Sequence, residues 1–205
     1  MHPLVISKIT KNTPNAVLIS FEVSDEEKER FRFEAGQYLT LEANINKNLV
    51  RRSYSICSAE DEGLQVGIKE VPEGIFSTYA NRSLGEKERL MVAPPEGRFR
   101  YKSKDEAQTL AAFAAGSGIT PIMSILKTML LDHPENRFHL VYGNKTPEDS
   151  MFYKELKALE NTFEGRLTIQ WVFSRANVDG SLFGRIEPGV VKNALKQMEK
   201  IADKF

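Results

Sequence analysis

Apolar and polar positions change rhythm once along this chain. From residue 3 to about residue 100, apolar residues fall in short β-rich runs, the pattern of short strands. Runs at 5–10, 16–23, 38–41, 52–57, 64–69 and 89–92 predict six short strands, and turn residues separate them. Six such strands without long helices predict an antiparallel barrel. Ser24-Asp25-Glu26-Glu27 has the spacing of a helix start, but the segment is short and highly charged, so a solvated turn is expected.

From about residue 108 the apolar runs become continuous. Residues 109–115 form one such run ending at Gly116, the pattern of a strand buried on both faces, and helical spacing follows over 121–131. Residues 138–143 and 167–173 are two more runs of the same kind. Thr146-Pro147-Glu148-Asp149 reads as a helix start with a hydroxyl cap and proline in the first turn, and residues 190–202 read as an amphipathic helix. Alternating strand and helix predict a parallel α/β sheet, and the polar stretch 101–106 is the natural linker. The expected division is therefore residues 1–102 and residues 108–205.

Composition narrows the function classes. Of 205 residues, 41% are hydrophobic and 27% charged, as expected of a soluble globular chain, and 28 basic residues balance 28 acidic ones. No Lys/Arg run is long enough to track a phosphate backbone, so nucleic acid is not an expected partner. The N-terminus lacks a basic-then-apolar signal, and glycines, hydroxyls and Pro121 interrupt the most apolar stretch, 110–131. Neither secretion nor a membrane span is expected. The single cysteine, Cys57, excludes an intramolecular disulfide or an all-cysteine cluster; it reads as a small buried hydrophobe in a reducing, cytoplasmic setting. His2, His133 and His139 form no metal-binding array.

Four short stretches carry candidate chemistry. In Arg52-Ser53-Tyr54-Ser55, strand alternation puts Arg52 and Tyr54 on one face, where a cation and a ring suit a flat phosphorylated ligand; a solvated cross-strand pair is the other reading. Gly74-Ile75-Phe76-Ser77-Thr78 reads as the opening of a short helix, where hydroxyls beside uncapped amides suit a pyrophosphate or form an ordinary cap. Gly116-Ser117-Gly118-Ile119-Thr120-Pro121 is a glycine turn entering a helix. It is neither a P-loop nor a full Gly-x-Gly-x-x-Gly fingerprint, and it suits an anion, a carboxamide or no ligand at all. Ligands of open α/β sheets bind at the carboxyl ends of strands, which here are Gly116–Gly118, Gly143-Asn144-Lys145 and Ser174-Arg175. The last pair suits a phosphate such as an adenosine 2′-phosphate, or is simply an exposed loop.

The order and content of these motifs resemble the ferredoxin–NADP reductase superfamily over essentially the whole chain. Phe31-Arg32-Phe33-Glu34-Ala35-Gly36-Gln37-Tyr38 resembles the run before the flavin strand, Arg52-Ser53-Tyr54-Ser55 the Arg-x-Tyr-Ser motif, and Gly74-Ile75-Phe76-Ser77 the Gly-x-x-Ser phosphate motif. Pro95-Glu96-Gly97-Arg98-Phe99 and the Gly116 turn match as well. The resemblance implies a flavin-binding Greek-key barrel followed by an α/β pyridine-nucleotide domain lacking its last strand. Tyr54 would pack on the isoalloxazine and Ser55 would lie near N5, while Arg52, Ser77 and Thr78 would hold the FAD pyrophosphate. Ile68, Lys69, Gly74 and Phe76 would complete that site. Gly116, Gly118, Thr120 and Asn144 would hold the nucleotide, and Ser174 with Arg175 the 2′-phosphate, which favours NADPH.

Residues 142–149 and 173–186 are most similar to reductase components of oxygenases of the phenylacetyl-CoA epoxygenase type. An iron–sulfur protein or oxygenase component is the implied electron acceptor, with hydride passing from NADPH to flavin and single electrons onward. A Cys-Gly-Pro segment and an iron–sulfur domain are expected in such reductases and are not within the 205 residues, so either an expressed fragment or a truncated gene product is expected, and the sequence alone does not choose between them. A flavin-binding regulatory module without turnover is the alternative.

Overall fold

In the computed structural model, which describes residues 1–202 and side chains through residue 196, the chain forms two compact units. The first comprises residues 1–102 with 120–128, and the second comprises the remainder. No described helix is long and apolar enough to cross a membrane.

The short runs of the first unit become β1 (His2–Thr13), β2 (Ala16–Glu22), β3 (Tyr38–Ile45), β4 (Asn48–Ser55), β5 (Leu64–Lys69) and β6 (Arg89–Val92), with helix α1 (Ile75–Arg82) between the last two. The predicted ends of β5 and β6 coincide with those observed; β2 stops one residue short of its run, β1 and β3 extend beyond theirs, and β4 is shifted, beginning four residues earlier and ending two earlier. They form one antiparallel sheet in the order β4-β3-β6-β1-β2-β5, and an Ile56–Val66 bridge joins its two edges into a barrel. Because β6 inserts between β3 and β1, the connection is a Greek key.

The hairpin between β3 and β4 turns at Asn46 and Lys47, both with positive φ (51° and 65°), matching the twist that two-residue hairpin loops require. Inward positions such as Ile6, Ile19, Leu39, Leu41 and Val66 are fully buried. Removing that apolar area from water is the main drive for the barrel, at roughly 25 cal/mol per Å². The Ser24–Glu27 stretch forms turns, as its charge predicts, with the Glu27 N–H donating to the Ser24 carbonyl.

Two of the sequence motifs are zipped together in this unit. The Tyr38 N–H donates to the Glu96 carbonyl at 2.9 Å and the Glu96 N–H returns to Tyr38 at 3.0 Å. Gly36, at φ +102°, fits beneath them because a Cβ there would lie 2.5 Å from the Phe99 carbonyl oxygen. Cys57 is fully buried with its Sγ against Gln65.

The second unit is a parallel sheet in the order β10-β9-β8-β7, built from β7 (Thr109–Ala115), β8 (Arg137–Asn144), β9 (Leu167–Phe173) and β10 (Leu182–Phe183). Helices α2 (Ile119–Asp132), α3 (Tyr153–Thr162) and α4 (Pro188–Ala202) complete it, and α2 is shared with the first unit.

Two expectations need correction. β7 is not buried on both faces: it is the edge of the sheet, and Thr109, Ala111, Phe113 and Ala115 lie exposed on one side, with Phe113 37% accessible. An apolar run reports that a strand avoids water, but its position in the sheet decides how many faces are covered. Thr146–Asp149 does not start α3 either. Thr146 Oγ1 accepts the Asp149 N–H and its carbonyl accepts the Ser150 hydroxyl, which closes a separate turn, and α3 begins after Phe152 at φ 60°. The expected cap chemistry is present, but it serves a turn rather than a helix.

His139 on β8 carries a testable consequence. Burial, and then the charge of Arg137, hold its imidazole below the ordinary value of 6.5, and its Nε2 is buried without a partner among the described residues. The folded state therefore favours the neutral ring. Stability present above the unfolded pKa is lost as pH falls below it, because the unfolded chain takes up the proton first. We expect the melting temperature to drop between about pH 7 and about pH 5, and His139→Gln to make that drop shallower. An unchanged acid slope in the variant would refute the assignment.

Candidate functional site

In the first unit the site residues gather where β4, β5 and α1 meet. Leu39 and Leu41 face Tyr54 and Arg52 across the β3–β4 ladder, so both side chains project on the inner face near its rim, as the alternation predicts. Tyr54 is half-buried, its ring centroid 5.6 Å from that of Phe76 at a 42° tilt. Burial pushes its phenol up to about 12 against the opposing pull of Arg52, so the ring is neutral at any physiological pH. Arg52 is exposed, and its guanidinium makes one hydrogen bond among the described residues, to the neighbouring Arg51 carbonyl at 2.7 Å. The half-buried Ser55 hydroxyl has no hydrogen-bond partner among the described residues.

The β5 strand delivers Ile68, fully buried, and Lys69, half-buried, to the turn that enters α1. Gly74 is the N-cap of α1 and provides no side-chain cap, so the first-turn amides of Ile75, Phe76 and Ser77 lack intrahelical acceptors. A Cβ at Gly74 would collide with Ser77 Oγ and with Val71. The Ser77 hydroxyl is turned inward: it accepts the Val71 N–H and donates to the Gly74 carbonyl, each at 3.2 Å. Ser77 therefore folds the turn, and backbone N–H groups are the donors offered at its mouth. Thr78 is half-buried beside them, its N–H donating to Gly74.

Residues that the sequence does not single out hold α1 in place. Asn81 Nδ2 donates to the Ile68 carbonyl at 3.1 Å, and Arg82 pairs with Glu70 at 2.6 Å. Helical spacing alone gives no hint that Asn81 reaches back to β5.

In the second unit, register brings the strand ends together. Ala115 pairs with Gly143 and Gly143 with Val172, so Gly116, Asn144 and Ser174 follow one another along one edge of the sheet. Gly116 has φ +55°, and Gly116–Gly118 form a single 3-10 turn running into α2. Gly118 caps α2 with no side-chain hydrogen bond, and Thr120 is buried in its first turn.

The Ser174 N–H and hydroxyl both donate to the Asn144 carbonyl, and the Arg175 N–H donates to Lys145. The Arg175 side chain is exposed and unpaired among the described residues. Asn144 Nδ2 is buried with no hydrogen-bond partner of good geometry among the described residues, and its side chain lies near the Tyr142 hydroxyl. Sequence reasoning does not single out Tyr142. It is fully buried, and its hydroxyl donates to the Gly116 carbonyl at 2.9 Å.

A neutral ring, an unpartnered hydroxyl, an exposed guanidinium and uncapped helix amides fit a flat ligand bearing phosphates. The buried amide of Asn144, the glycine turn and Arg175 fit a second anionic ligand.

Residues 3–101 match the family described as "Oxidoreductase FAD-binding domain", and residues 113–203 match "Oxidoreductase NAD-binding domain". Among curated relatives, a component of the 1,2-phenylacetyl-CoA epoxidase of Escherichia coli (strain K12) is 39% identical over 91% of this chain and 53% of its own length. The ferredoxin reductase component of 3-ketosteroid-9-alpha-monooxygenase from Rhodococcus rhodochrous is 35% identical, covering 83% of this chain and 49% of its own. Flavodoxin/ferredoxin–NADP reductase of Shigella flexneri is 32% identical over 80% of this chain and 68% of its own.

The chain thus spans about half the length of the first two relatives. Among solved structures, ferredoxin NADP+ reductase from Neisseria gonorrhoeae, with bound FAD and NADP, superposes with a TM-score of 0.79 at 22% identity. That match covers 96% of this chain and 78% of the other.

Proposed function

Because this chain belongs to the ferredoxin–NADP reductase superfamily, with an FAD-binding and an NAD-binding oxidoreductase domain in tandem, we propose that it is the electron-transferring reductase module of an oxygenase system. It takes its electrons from NADPH. The observation that carries the reading is the register of β7, β8 and β9, which aligns Gly116, Asn144 and Ser174 on one sheet edge. The names of the epoxidase and monooxygenase relatives support an oxygenase component or an iron–sulfur protein as acceptor.

Bound FAD would supply the redox chemistry, accepting a hydride from the nucleotide and releasing single electrons. The chain's own residues bind and orient. Tyr54 offers a neutral face, held by Phe76, and Ser55 offers a hydroxyl that can donate to a ring nitrogen. Arg52 and the first-turn amides of α1 neutralise a pyrophosphate, while Ile68 and Lys69 border the ring. Gly116, Gly118, Thr120 and Asn144 receive the nucleotide, and Ser174 fixes the loop that presents Arg175 to a 2′-phosphate. No side-chain acid or base is required, because a hydride carries its own electron pair and the protein has only to position donor and acceptor.

Purified protein is expected to be yellow and to bleach with NADPH in the absence of oxygen. A colourless preparation that does not quench added FAD fluorescence would overturn the flavin assignment. A yellow preparation that neither nucleotide bleaches would instead mark a module that binds flavin without turnover. Arg52→Ala is expected to weaken FAD by about 1 kcal/mol, roughly fivefold, measured by fluorescence titration. Unchanged affinity would remove Arg52 from the site.

A further inference from the structure

We infer that the buried hydroxyl of Tyr142 is a positioning group for pyridine-nucleotide binding, acting by fixing the orientation of the Gly116–Ser117 peptide; this rests on the reading that the Gly116 turn receives the nucleotide. The Tyr142 O–H donates to the Gly116 carbonyl at 2.9 Å, and the ring beneath it has no accessible surface. Tilted contact with Trp171, centroids 5.7 Å apart, packs the ring so that the hydroxyl has a fixed address.

Every peptide bond described is trans, so the Gly116 carbonyl and the Ser117 N–H point in opposite directions from one plane. Drawing the carbonyl inward to Tyr142 therefore turns the Ser117 N–H to the opposite side, away from the tyrosine. Gly116 sits at φ +55°, and a Cβ there would meet nothing within 4 Å, so the turn carries no side chain of its own at that position to fix it.

Asn144 belongs to the same cluster. Two residues along β8 from Tyr142, it has a buried Nδ2 with no hydrogen-bond partner of good geometry among the described residues. Burial raises the Tyr142 phenol far above its ordinary range, with the side chain of Asn144 and the backbone of Met151 pulling the other way. The hydroxyl therefore stays protonated and remains a donor. Tyr142 sets the direction of the turn, and the Asn144 side chain lies close enough to its hydroxyl to act on it.

Tyr142→Phe preserves the ring and deletes the hydroxyl. The expected result is about tenfold weaker binding of both NADPH and NADH, measured by fluorescence titration of the purified protein, with FAD content unchanged. Equal effects on the two nucleotides separate this role from that of a group reading the 2′-phosphate. Unchanged nucleotide affinity in a folded, flavin-loaded Tyr142→Phe protein would overturn the inference. If wild-type protein binds neither nucleotide, the functional reading fails instead.

A second pair of variants keeps the test open should Tyr142→Phe fold poorly. Asn tolerates positive φ and Val does not, so Gly116→Val is expected to weaken nucleotide binding more than Gly116→Asn does. Equal losses in the two would show that bulk, not peptide orientation, matters at Gly116, and would overturn the inference.

Discussion

Phe76→Ala is expected to cost the fold about 3–5 kcal/mol and to strip the protein of flavin. Phe76 is 1% exposed at the start of α1, and its ring meets Tyr54 at 5.6 Å and Tyr79 at 6.3 Å. Truncation removes a buried ring and leaves a cavity that rigid strands on either side cannot close. The same cavity releases Tyr54, whose half-buried position depends on that contact, so the loss should appear at the ligand as well as in the fold.

Denaturant unfolding read beside flavin absorbance measures both effects. Phe76→Leu, which refills most of the volume, should recover most of the stability and only part of the flavin. A Phe76→Ala protein less than about 1 kcal/mol weaker than wild type would show that the ring is not the packing centre inferred for it.

Arg175→Ala is expected to weaken NADPH by about 1.5–3 kcal/mol, roughly 10- to 150-fold, while leaving NADH nearly untouched. The guanidinium is exposed and has no intramolecular partner among the described residues, so its removal disturbs nothing else in the unit. Its backbone is nevertheless fixed, because the Arg175 N–H donates to Lys145 and the Ser174 N–H and hydroxyl hold Asn144. A long side chain on an anchored backbone suits a fork-shaped donor aimed at a dianionic phosphate. Titrating both nucleotides against wild type and variant decides it. Equal losses with NADPH and NADH would sink the 2′-phosphate assignment, and no loss with either would remove Arg175 from the site.

Much of this molecule is legible without coordinates. Short β-rich runs between turn residues locate the six barrel strands, while the Asn46-Lys47 hairpin that sets the β3–β4 register lies between two predicted runs and appears only in the fold. Motif order locates both candidate sites, since glycine turns and Arg-x-Tyr-Ser name their own backbone geometry. The unread parts share one cause: they depend on neighbours distant in sequence.

Nothing in residues 109–115 tells a central strand from an edge, so the exposure of Phe113 could not be foreseen. Ser77 carries a hydroxyl that its motif aims at a phosphate, yet in the fold it serves Val71 and Gly74. Tyr142 reads as core in the sequence, and only the fold puts its hydroxyl on the Gly116 carbonyl. A two-residue strand such as Leu182–Phe183 exists only because β9 is there to pair with it.

The burial of Cys57 bears on how the chain can be studied. It is the single thiol in the sequence, its side chain has no accessible surface, and Gln65 lies against its sulfur. A maleimide dye therefore finds no thiol to react with on the folded protein. A cysteine introduced at an exposed position such as Arg98 would be labelled selectively, with no need to engineer Cys57 away and disturb the barrel interior.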